Sequence, residues 1–180
     1  MAASQAIQSF IAILQKIPPA TIAADHIGLV GPAQAGDMPL IAVSLLAAAE
    51  SPIGIGGVAG IGFDGAQWTV STGTRTTGQM QVDIWAANAA AMNQISGAIS
   101  TLLAGASADL TNAGFVLFQT AATIPGTGMQ LSGGGAGLHT ALTFSIVHED
   151  IASPVIGPGG EIHEVDVTID SQFHETMTLK

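Results

Sequence analysis

The chain of 180 residues contains no cysteine and no tyrosine, and only Lys16, Arg75 and Lys180 carry basic side chains. Without cysteine there is neither a disulfide nor a thiolate metal site, and nothing points to a redox compartment. Three cations are too few to hold a phosphate backbone by releasing its counterions, which argues against specific nucleic-acid binding. Charged residues amount to 9%, against roughly 25% in an ordinary soluble protein. The formal net charge of -10 therefore reflects scarce cations, not abundant acids. Aromatic residues make up 4%, leaving few platforms on which a sugar would stack.

Several motifs are missing as well. The opening MAASQAIQSF lacks the basic region of a secretory signal. The longest apolar run, Leu40 to Ala49, falls short of the about 20 residues a membrane span needs. The expectation is a soluble chain, made inside the cell, with no membrane partner. HExxH is absent around His148 and His163, and no G-x-S-x-G occurs. The glycine-rich stretches carry no P-loop lysine. Gly60, Gly62 and Gly65 fit G-x-G-x-x-G by letter, but QWTVS follows and reads as a strand where a dinucleotide site needs a helix. No cofactor is expected. His148-Glu149-Asp150 and His163-Glu164-Val165-Asp166 place imidazole beside carboxylate. These groups read first as solvated edge-strand residues. A metal-dependent hydrolytic enzyme using His148, Glu149, His163 and Glu164 is the less favoured alternative.

Apolar residues are plentiful, at 48% of the chain, enough for a substantial core. The most legible stretch runs from Gln79 to Leu103. Met80, Val82 and Ile84 alternate as in a half-buried strand, with Gln81, Asp83 and Trp85 on the other face. From Asn88, a plausible N-cap, the spacing changes, and Met92, Ile95, Ile99 and Leu102 form one helical stripe. A first helix is expected from an N-cap at Ser4, with Ile7, Phe10, Ile11 and Leu14 on one face and Pro18-Pro19 as its stop. Leu40 to Glu50 reads as a buried strand opened by Pro39, and Gln67 to Ser71 as another, with Thr72 to Gly78 a turn. Ile53 to Gly65 is a mobile loop or a weak hairpin arm. Gly105, just after the second helix, is the expected C-cap residue, Asp109 to Gly114 is a connection or a brief helical turn, Phe115 to Phe118 starts a strand, and Ile124 to Gly137 is a long loop. Leu138 to His148 is a further strand, and Ile151 to Gly160 a linker.

The pattern is α+β: a mainly antiparallel sheet covered by two helices, with long Gly-rich loops and a C-terminal extended arm. Residues 1–150 read as one domain and 151–180 as an extension. The polar-poor surface suits a protein that buries itself against copies or partners. Trp68 and Trp85 read as core or interface anchors.

The helix SQAIQSFIAILQKI, the proline-led MPLIAVSLL, the run Val82-Asp83-Ile84-Trp85-Ala86 leading into its helix, and the closing ALTFSIVHE occur in one order. In this the chain resembles the tail terminator proteins of long-tailed bacteriophages and related tail-like particles. The resemblance covers roughly residues 4 to 149; the segment from Ile151 to Lys180 has no counterpart in it. It implies a structural virion protein without enzymatic activity, assembled in the host cytoplasm as a ring of copies, six by analogy. The ring caps the tail tube, ends its growth and meets the head connector or neck protein, with DNA passing through. Its interface is expected to use Trp85, Asp83, Gly56, Gly60, Gly62, Gly128, Gly134, Ile162 and Val167. A tail tube, neck or minor tail subunit is the alternative within the same assembly.

Overall fold

The alternation at Met80 to Ala86 becomes the middle of a sheet. The structure is a computed structural model that describes residues 2–29, 37–55, 57–63, 67–130, 136–152 and 155–156. In chain order the elements are α1 (Ala2–Leu14), β1 (Ile27–Gly28), β2 (Leu40–Pro52), β3 (Val58–Phe63), β4 (Trp68–Ala86), α2 (Ala89–Gly105), α3 (Ser107–Asn112), β5 (Phe115–Gln130), β6 (Ala136–Ala152) and β7 (Val155–Ile156). The seven-stranded sheet has the order β1-β2-β4-β6-β5, with β3 and β7 also paired to β4. Only β1 runs parallel to its neighbour; every other pairing is antiparallel. This is an α+β fold, as the pattern predicts.

Register explains the burial. Val43 faces Val82, Ile41 faces Ile84, and Met80 faces Phe144, so these side chains share one face of the sheet. Helices α1 and α2 pack on that face and bury Met80, Val82, Ile84 and Ala86 completely. From α1, Phe10 reaches three rings, with centroids 4.9 Å from Phe118, 6.0 Å from Phe144 and 6.2 Å from Phe115. From α2, the predicted stripe of Met92, Ile95 and Ile99 is buried, while Leu102 is half-buried. Asn88 caps this helix as expected, its side chain accepting from the Ala91 amide at 2.9 Å, which satisfies one of the unpaired N–H groups of the first turn.

Several boundaries differ from the sequence reading. Ser4 lies inside α1, and the exposed Ala3 amide donates instead to Glu50 Oε1 at 2.9 Å. Gly105 is the last residue of α2, and Ala106 takes the cap position. Where two helices were expected, a third, α3, occupies the connection before β5. Thr72 to Gly78 is not a turn: β4 runs unbroken from Trp68, paired by β3 and β7 at its start and flanked farther along by β2 and β6. Of the two readings of Ile53 to Gly65, the hairpin arm is the one observed from Val58, where strand β3 pairs with β4. Likewise β5 extends to Gln130 and β6 begins at Ala136, within the expected loop from Ile124. The expected linker from Ile151 begins as the end of β6 and contains β7. Threonine weakens the hydrophobic signal without weakening the pairing, since a β-branched side chain suits a strand that meets water.

Candidate assembly surface

The helices cover only part of the sheet. Beyond Met80, toward the start of β4, the sheet continues as an arm built from the ends of β2 and β6, the beginning of β4, and strands β3 and β7. On the helix side of this arm, Ile61 pairs with Val70 and Phe63 with Trp68. Ile61, Phe63 and Trp68 are 59%, 55% and 39% exposed, and the Phe63 and Trp68 rings lie 4.8 Å apart. A contiguous apolar patch of this kind, outside the covered core, has the character of an interaction site.

The other face of the sheet carries a polar cluster beside the covered body. Trp85 and His139 are register partners across β4 and β6, and their rings stack with centroids 5.0 Å apart. The Asp83 carboxylate accepts from His139 Nε2 at 2.7 Å and from Gln81 Nε2 at 2.8 and 2.9 Å. The carboxylate offers no proton, so Nε2 is the protonated ring nitrogen, and the ring is held between acid and indole. Farther along this face, Arg75 pairs with Glu149. Lys16, on the helix side, binds Asp109 at 2.8 Å. Both described cations are thus already engaged by acids, which leaves little basic surface for an anionic polymer.

The structure brings together some of the expected interface residues and separates others. Asp83 and Trp85 belong to the polar cluster. Gly60 and Gly62 lie far from it, in β3 on the arm, where an added Cβ would meet nothing within 4 Å. Gly128 lies near the end of β5, and Gly56, Gly134, Ile162 and Val167 fall outside the described residues. The sequence reading placed Gln81 on this face but not its bond to Asp83, and it missed His139. The signal was the alternation of β4 and β6, but placing His139 beside Trp85 requires their register.

The hydrolytic alternative divides at its first pair. His148 lies on the helix face and is 1% exposed, its Nε2–H donating to the Ala113 carbonyl at 2.9 Å. Glu149 faces the other way, toward Arg75. Adjacent strand residues project to opposite faces and cannot converge on one ion. His163 and Glu164 lie outside the described residues. Among the described residues, no three His, Cys, Asp or Glu side chains group to hold a metal.

Gly114 shapes the surroundings of His148. Its φ of +90° suits glycine, and a Cβ there would come within 2.5 Å of the Glu149 carbonyl oxygen. Glu149 N–H donates to the Gly114 carbonyl at 2.8 Å, tying the end of α3 to β6. His148 Nδ1 and Thr76 Oγ1, cross-strand partners, are both buried without a hydrogen-bond partner among the described residues, a cost of order 1–3 kcal/mol for each such group.

Comparison with protein-family models and with curated proteins finds no match to the chain. Among the described residues, no helix is long and apolar enough to cross a membrane.

Proposed function

We propose that the chain is a non-enzymatic subunit of a phage tail or tail-like particle, and within it a tail terminator: copies form a ring, end tube growth and present a surface to the head connector or neck protein. The single observation that carries the self-associating part of this reading is the arm. A sheet that runs past its described helices and exposes Ile61, Phe63 and Trp68 together supports burial of this face against another chain. The run Val82 to Ala86 leading into α2, which carries the resemblance, supports the terminator part.

The test is assembly with the tail-tube protein of the same particle. The expected result is a closed ring of copies by native mass spectrometry and negative-stain imaging, together with tubes whose growth stops when the chain is added. A chain that stays monomeric at high concentration while tubes keep growing overturns the proposal. The same exposed arm also fits a tube subunit, which is separated by its product: a tube subunit stacks open-endedly, whereas a terminator closes.

A further inference from the structure

Strand β5 forms one border of the described sheet, with no strand on its outer side. Its described outer stretch includes Val116, Leu117 and Ile124, all exposed. Beside it, on the helix face, α2 and α3 overhang a groove of about 520 Å³. Leu103, Leu110, Phe115, Phe118, Thr120 and Thr123 line it, and none of its lining residues is charged. A free strand edge next to an uncharged groove is an arrangement that can receive an extended peptide: the edge supplies backbone hydrogen bonds and the groove takes alternate side chains.

One segment of this chain has the matching pattern. In EIHEVDVTID, residues 161–170, Val165, Val167 and Ile169 fall on one side of an extended strand, and Glu164, Asp166, Thr168 and Asp170 on the other. The apolar side suits the uncharged groove, and the acidic side would face water.

We propose that residues 161–170 of a second copy add to the outer edge of β5 and seat Val165, Val167 and Ile169 in this groove. Reach favours a second copy over the segment's own chain. The described chain ends at Ile156, which pairs with Trp68 at the far end of the arm. Thr120, in the groove, is level with Phe144 and hence with Met80. Eleven residues separate Ile156 from Val167, whereas twelve separate Trp68 from Met80, and the path from β7 must also pass the β6 column and β5, about 10 Å sideways. β7 runs antiparallel to β4, so at Ile156 the chain heads away from the body; with Pro158-Gly159-Gly160, suited to turning, used to reverse it, Val167 falls well short of the level of Thr120. Each copy is thus both donor and acceptor, a heterologous contact that closes into a ring when its rotation allows.

The proposal rests on the self-association reading above and names the contact that makes it. Two full-length variants test it by sedimentation velocity. Val167→Asp spoils the donor without touching the described core, and Thr123→Arg puts a charge in the groove at an exposed position. Each variant alone is expected to self-associate at least about tenfold more weakly than the unaltered chain, the effect of burying one unpaired charge at a contact. Mixed together, they are expected to form a one-to-one pair and nothing larger, because only one donor and one acceptor remain intact. Association unchanged in both variants overturns the proposal, as does a mixture no larger than either variant alone. Weakening by Thr123→Arg without weakening by Val167→Asp assigns the groove to another segment and overturns it too. Tube growth separates this proposal from the functional one. Unaltered copies that join through this strand but let tubes grow overturn the terminator reading alone. Tubes stopped by Val167→Asp as well as by the unaltered chain overturn the strand exchange alone.

Discussion

Strand β4 belongs to two different environments. Its last third, Met80 to Ala86, lies under α1 and α2 with Met80, Val82, Ile84 and Ala86 fully buried. Its opening stretch, Trp68 to Arg75, has the same pleat, and Trp68 is paired on both sides, by β3 and β7, yet it remains substantially exposed because no described helix lies over it. Pairing alone therefore does not make a core here. The body is stabilised by removing apolar side chains from water. The arm holds its shape through a hydrogen-bonded ladder of threonine and glycine, and it keeps its apolar side chains available.

The contrast can be broken most severely at Phe10, whose ring joins α1 to Phe115, Phe118 and Phe144. Phe10→Ala is expected to cost about 3–5 kcal/mol, read as a large fall in the urea midpoint. A loss comparable to a surface substitution would show that the helices add little to the body. Next is Gly78, at the boundary between body and arm, where an added Cβ would lie 2.2 Å from the Ala47 carbonyl oxygen. Gly78→Ala should force β2 away at its irregularity between Leu45 and Ala47 and cost about 1–3 kcal/mol, with amide exchange rising on the arm side of both strands. If only the body loosens, the arm is not anchored through this approach.

Smaller effects sharpen the comparison. Trp85→Ala removes the stacking on His139 and should cost about 1 kcal/mol by thermal unfolding, with weaker assembly. Rings formed at unchanged affinity would free this face from any contact role. Arg75→Ala breaks an exposed pair with Glu149 and should change stability by about 0.2–1 kcal/mol, less so in high salt. The smallest stability change is expected at Phe63. Phe63→Ser should stay within about 0.5 kcal/mol while reducing self-association in sedimentation. A marked loss of stability there would make the arm patch part of the core.

The body was more legible than the arm, and the reason is physical. Asn88 and the spacing of Met92, Ile95 and Ile99 announce α2 locally, since capping and helical burial depend on near neighbours in the chain. Alternation at Met80 to Ile84 likewise reports a one-sided strand. In TGTRTTG, residues 72–78, no alternating run of large apolar residues marks a strand; pairing to β2 and β6 makes it one, and that pairing comes from distant sequence. The candidate surface shows the same division. Asp83 and Trp85 stood out on their own strand, whereas His139 joins them only through the register of β4 with β6.

That register has a mechanical consequence. From Thr72↔Ala152 to Ala86↔Leu138 the two strands stay in step, without the irregularities that interrupt β5 against β6. A pull on the tip along the strand axis would load this ladder in shear, sharing the force among many bonds. A sideways pull would open it from one end, bond by bond. The arm is therefore stiff in the direction in which it projects, and a partner at its tip could transmit tension to the body without first unfolding the connection.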